Sequence, residues 1–118
     1  MTNQNDRKQY NLEERTAKFG KNIIAFVKTI PQNTINRSLI NQIVRSGTSI
    51  GANYMEADAS ESKKDFRHKI SICRKESKET KHWLRMIVKA NPEKASQSQI
   101  LWKEAQELTL IFSAILKK

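Results

Sequence analysis

Apolar residues recur at steps of three and four along most of the chain, and each such run predicts an α-helix with one buried stripe. Leu12, Thr16, Phe19, Ile23, Phe26 and Ile30 form the first run. Pro31 stops it, because proline lacks an N–H and clashes with the preceding turn. Asn11 stands where a cap belongs, with Glu14 as its reciprocal partner, so the first helix is predicted at 11–30. Residues 1–10 are polar and are expected to be a disordered lead. Leu39, Ile43, Ser46, Ile50 and Tyr54 form the second run, predicted at 34–57 with its start near Asn33 or Asn36. Phe66, Ile70, Cys73, Ser77, Thr80, Leu84 and Ile87 form the third, at 62–90. Ser62 followed by Asp65 is its start signal and Asn91-Pro92 its end. Leu101, Ala105, Leu108, Phe112 and Ile115 form the fourth, at 96–117, with Ser96 or Ser98 as cap and Lys117 and Lys118 at its negative end. Short links make antiparallel neighbours, so residues 11–118 are predicted to be one all-α, up-down-up-down four-helix bundle.

Two features depart from plain amphipathic helices. The second helix carries Ile40, Val44, Gly47 and Gly51 as a further stripe, and glycine in a helix interior is unfavourable by about 1 kcal/mol relative to alanine. Ser46, Gly47, Ser49, Gly51 and Ala52 leave one side nearly bare, which suits a close helix crossing at Gly47 and Gly51. A phosphate-cradling loop is the competing idea, but no Gly-Lys-Ser/Thr ending follows.

The third helix sorts its charges. With Phe66 at zero and about 100° per residue, Lys63, Arg67, Arg74, Lys78, Lys81 and Arg85 fall on one flank. Glu61, Asp65, Glu76 and Glu79 fall on the other, with Ile72 and Trp83 among them. A solvated helix normally mixes signs; a sorted one is suited to meet something on each side. Lys64 adds to the basic set.

Composition sharpens this. The 118 residues carry 22 Lys and Arg against 12 Asp and Glu, a formal charge of +10. Residues 61–90 hold 10 of those cations and 4 of those anions, so more than half the excess lies on the third helix. Such an imbalance favours an anionic partner, nucleic acid being the commonest, although charge can also serve solubility alone. The lone cysteine, Cys73, excludes an internal disulfide, suits a reducing compartment and falls on the apolar seam. No apolar run nears the ~20 residues that span a bilayer, and residues 1–10 contain no apolar signal core. A cytoplasmic setting without a membrane partner is expected.

Catalytic chemistry is not indicated. His68 and His82 are fourteen residues apart, about 21 Å along a helix, and cannot share a metal within one chain. No Glu-x-x-His pair occurs, and a hydrolase built on Glu76, Glu79 and His82 would lack a convergent set. No enzyme, metal or cofactor is therefore expected. Trp83 lies off the seam; it is covered by another helix, buried by a second subunit, or offered as a base stack.

The stretch Leu39-Ile40-Asn41-Gln42-Ile43-Val44-Arg45-Ser46-Gly47-Thr48-Ser49-Ile50-Gly51-Ala52-Asn53-Tyr54 resembles the second-helix signature of the bacterial four helix bundle family. These are also called 23S rRNA intervening sequence proteins, formerly ribosomal protein S23. Ser62-Lys63-Lys64-Asp65-Phe66, Ile72 to Glu79 and His82-Trp83-Leu84 resemble its third helix, and Leu12 to Thr16 its first. The resemblance covers about residues 10–116 and is weakest in the last helix. It implies a bundle that assembles as a ring, commonly a homopentamer, with no known catalytic activity.

Two functions follow as expectations. In the first, Lys63, Lys64, Arg67, Arg74, Lys78, Lys81 and Arg85 contact phosphates of RNA or DNA, and a ring multiplies the contact. With no aromatic interleaved in that stripe, recognition should follow backbone and shape. In the second, the chain is a structural or protein-interaction module. There the basic flank of one subunit meets the acidic flank of the next, through Asp65, Ile72, Glu76, Glu79 and Trp83.

Overall fold

The starts of two helices in this structure are set by short-range capping that the sequence announces. The structure, a computed structural model, describes residues 4–118, with side chains from residue 12 onward. Its helices are α1 (Gln4–Val27), α2 (Thr34–Asp58), α3 (Lys63–Ala90) and α4 (Ala95–Lys117), with a 3-10 turn at Pro92–Lys94 before α4. At the start of α2 the Asn36 amide donates to Asn33 Oδ1 at 2.8 Å. At the start of α3 the Asp65 amide donates to Ser62 Oγ at 3.0 Å. Each side chain satisfies an N–H that the first helical turn leaves without a partner.

Three expected ends differ. The helix α1 closes at Val27 and not at 30, because the Thr29 and Ile30 amides donate three residues back, to the Phe26 and Val27 carbonyls, in a tighter final turn. The helix α1 begins at Gln4, so residues 4–10, expected to be a disordered lead, are helical and Asn11 is an interior position. No glycine or proline interrupts residues 4–19, and once a helix exists each added residue gains a bond. The expected lead at residues 1–3 lies outside the described residues. At α4 neither Ser96 nor Ser98 caps: the cap position is Lys94 without a side-chain bond. Ser98 is buried and donates to the Leu84 carbonyl of α3 at 3.3 Å.

Partners run in opposite order along α2 and α3: Asn36 with Asn91, Arg45 with Glu76, Ile50 with Cys73, Glu56 with Lys69. The same order relates α3 and α4 through Arg67 with Leu116, Lys81 with Gln106 and Leu84 with Ser98. The bundle is therefore antiparallel, with extents of 47 × 25 × 20 Å that leave room for two helices across each short axis. Phe19, Ile23, Ile43, Ile50, Ile70, Leu84, Ile87, Leu108 and Phe112 fill the centre, with Tyr54 and Phe112 rings 6.4 Å apart. Gly47 lies where α2 meets α1, and a Cβ there would stand 3.0 Å from Ile23 Cγ1. A Cβ on Gly51 would stand 3.3 Å from Thr16 Oγ1. Arg15 of α1 reaches α4, its Nε donating to Glu104 at 2.7 Å and its Nη2 at 2.8 Å. That hydrogen bond raises the arginine pKa.

The core also holds hydroxyls. Ser77 donates to the Cys73 carbonyl at 2.8 Å and Thr80 to the Glu76 carbonyl at 2.8 Å. Thr80 Oγ1 also lies 2.9 Å from Ser46 Oγ across the α2–α3 contact. Among the described residues no buried side-chain nitrogen or oxygen lacks a partner.

Candidate nucleic-acid interface

The two flanks of α3 meet different fates. The acidic flank turns toward α2. Arg45 Nη1 donates to Glu76 Oε2 at 2.8 Å, and Arg45 Nη2 bonds Glu79 Oε2. Glu79 Oε2 also accepts from Trp83 Nε1 at 3.1 Å. Glu76 is 4% exposed. Trp83 is half-buried against the core, with the His82 ring edge-on at 4.8 Å. Glu76 and Glu79 are thus paired inside the subunit and Trp83 is covered in part by its own chain. Ile72 is half-buried, while Asp65 is exposed in the first turn of α3.

The basic flank turns toward α4. Lys63, Lys64, Arg67, Lys78 and Arg85 are exposed, and Arg74 and Lys81 are half-buried. Among the described residues none of these seven cations makes an ion pair; the pairs present use Arg15, Arg45 and Lys69. Two of the seven have neutral partners. Arg67 Nη2 donates to the Leu116 carbonyl at 2.7 Å, at the electronegative end of α4. Lys81 donates to Gln106 and stands 5.2 Å from the centre of the Trp102 ring.

Two open clefts follow the α3–α4 seam. One, of about 580 Å³, is lined by Lys64, Arg67, His68, Arg74 and, from α4, Ser113 and Lys117. The other, of about 500 Å³, is lined by Arg85 and Val88 of α3 and by Ala95, Ser98, Gln99 and Trp102. No acidic side chain lines either cleft. Lys117, read from sequence only as a helix-end charge, joins the basic face.

The expectation that no aromatic interleaves with the basic stripe does not survive. Trp102 enters it from α4, across the helix interface. Its signal in the sequence was position: it follows the buried Leu101 and precedes the buried Ala105, so it sits at the edge of the α4 seam facing α3.

Other chemistry is sparse. Cys73 is fully buried, its thiol donating toward the Ile50 carbonyl at 3.5 Å, and burial pushes its pKa up to about 12. Its nucleophilic thiolate is therefore scarce near neutral pH. Among the described residues no three His, Cys, Asp or Glu side chains come together as a metal site requires, and no helix is long and apolar enough to cross a membrane.

These features define a helical bundle with a cation-rich, acid-free seam. The chain belongs to the 23S rRNA-intervening sequence protein family, whose pattern it matches over residues 8–114. It is similar to a crystal structure from Bacteroides thetaiotaomicron, described as a protein of unknown function from the S23 ribosomal protein family. The two share 29% identity and a TM-score of 0.83, over 94% of this chain and 99% of the other. No curated protein matches the chain.

Proposed function

We propose that this chain is a non-enzymatic, self-associating bundle protein of the cytoplasm that binds nucleic acid through phosphate contacts on the α3–α4 face. The observation that carries this reading is the separation of charges on α3. Glu76 and Glu79 are both paired with Arg45 on one side, while the seven cations on the other make no ion pair among the described residues. Cations spread along a 28-residue helix, about 42 Å long, suit a polyanion better than a single small anion.

The alternative, that the charged flanks of α3 serve only to join subunits, loses most of its acidic half, because Arg45 already occupies it. Self-association is then better served by other surfaces. One is the cleft between α1 and α2, where Ile24 is 44% and Met55 59% exposed beside Ala17 and Gly20.

Charge reversal at Arg74 and Lys78 separates the readings. Light scattering should report an unchanged oligomer, and titration with single-stranded RNA should report binding lost. A variant that dissociates to monomers would assign the basic flank to subunit contact instead.

A further inference from the structure

Trp102 is one of two tryptophans, and the structure gives them opposite surroundings. Trp83 donates its indole N–H to Glu79 and shares that carboxylate with Arg45. A phosphate there would meet acids. No acid lines the cleft that Trp102 walls, and among the described residues the Trp102 N–H makes no hydrogen bond. Lys81 lies 5.2 Å from its ring centre. Trp102 also walls the cleft of about 500 Å³, whose lining does not include Lys81. Val88 and Ala95 give that cleft apolar sides, Gln99 brings an amide, and Arg85 is an exposed cation at its wall.

This combination matches one kind of occupant. A volume of a few hundred Å³ is the usual size of a small planar ligand's site. Apolar walls and an indole suit a flat base, since every base has a π-face that stacks on aromatic rings. A cation at the wall, with Lys78 and Lys81 along the same helix making no ion pair among the described residues, suits the phosphates on either side of that base. A base inside a duplex cannot enter, because it is already stacked and paired.

We infer that the Trp102 cleft receives an unpaired nucleobase of a bound strand, with Arg85 on an adjoining phosphate, so that the protein prefers single-stranded or looped nucleic acid to a regular duplex. This rests on the phosphate-binding reading of the α3–α4 face and specifies what that face selects.

The test uses fluorescence anisotropy with a labelled single-stranded RNA of about 20 nucleotides and the same sequence as a duplex, at one fixed salt concentration, in a range where binding is strong. The full chain is compared with Trp102→Leu, which keeps apolar bulk without the ring, with Trp102→Phe, and with Trp83→Phe. Wild type should bind the single strand more tightly than the duplex. Trp102→Leu should lose roughly tenfold on the single strand and nothing on the duplex, the scale of one stacked base. Trp102→Phe should lose less, and Trp83→Phe nothing. In the Trp83→Phe protein, the remaining indole emission should be quenched by the single strand and not by the duplex. Equal single-strand affinity in wild type and Trp102→Leu would overturn the stacking proposal while leaving phosphate binding intact. Absence of binding to either form at low salt would overturn both. Saturable binding of free AMP at micromolar concentration, with displacement of the strand, would make the cleft a mononucleotide site and overturn the assignment to a strand.

Discussion

Arg45 of α2 stands between Glu76 and Glu79 on α3, its Nη1 2.8 Å from Glu76 Oε2. The carboxylate of Glu76 is nearly inaccessible, at 5% side-chain exposure, whereas Arg45 keeps 49%. One arginine thus engages two acids, one buried and one 31% exposed, and leaves the opposite flank of α3 basic. The arrangement is also a stability element. Arg45→Ala would strand a buried carboxylate and is expected to destabilise the fold by about 1–3 kcal/mol, with solvent reaching in from the open side to limit the loss. Urea denaturation checks this. Arg45→Ala combined with Glu76→Ala should cost less than the two single changes summed, as coupled partners do.

Glycines on the α1–α2 contact should respond in opposite senses. A Cβ on Gly47 would press on Ile23 Cγ1 at 3.0 Å, so Gly47→Ala is expected to destabilise by about 1–3 kcal/mol. A Cβ on Gly20 would meet nothing closer than Thr48 Cα at 3.6 Å. Gly20→Ala is therefore expected to stabilise by about 0.5–1 kcal/mol through helix propensity alone. Thermal melts of the two variants should move to opposite sides of wild type.

Asn36 and Asn91 exchange hydrogen bonds of 2.9 and 2.8 Å inside the end of the bundle. Asn36 Nδ2 also reaches the Pro31 carbonyl at 2.9 Å, and Asn91 Nδ2 the Ile87 carbonyl at 3.0 Å. This pair ties the α1–α2 link to the α3–α4 link. Asn91→Ala leaves the Asn36 amide without its buried acceptor and is expected to destabilise by about 1–3 kcal/mol. Hydrogen exchange should show faster opening of the first turn of α2 before any change at Ile50 or Leu84.

Stability should fall in alkali. Burial raises the Cys73 pKa from 9.0 to about 12 and the Tyr54 pKa from 10.0 to about 12, Asp58 adding to the latter. Both groups stay protonated in the folded chain over a range in which the unfolded chain releases its protons. The unfolded state therefore binds fewer protons there, and stability declines as pH rises from 9.0 toward about 12. Urea midpoints measured across that range should drop, and Cys73→Ala should flatten the early part of the decline. A thiol reagent at neutral pH should label Cys73 only after unfolding.

The helices and the caps of α2 and α3 were legible in the sequence because they depend on neighbours within four residues. Asn33 and Ser62 act on amides three positions away, and the apolar steps of three and four mark the buried stripe. The charge sorting of α3 was legible for the same reason. What lay beyond reach came from another helix. The acidic flank looked free because its partner, Arg45, lies 31 residues from Glu76. Ser98 looked like a cap because its acceptor, the Leu84 carbonyl, belongs to α3. Trp102 joins a cation line that lies on a different element. The start of α1 was missed because residues 4–10 are polar and carry neither an apolar rhythm nor a breaker.

The basic α3–α4 seam is tested most directly by the salt dependence of single-stranded RNA binding between about 50 and 200 mM salt. Log affinity should fall linearly with log salt, and each neutralising change at Arg74, Lys78 or Arg85 should lessen the slope by roughly 0.7, the contribution of one single-strand phosphate. Lys18→Gln and Lys28→Gln, on exposed positions of α1 and the link after it, should leave the slope unchanged. A slope near zero, or one that Lys18→Gln lowers as much as Arg74→Gln, would contradict a phosphate-binding surface on the α3–α4 face.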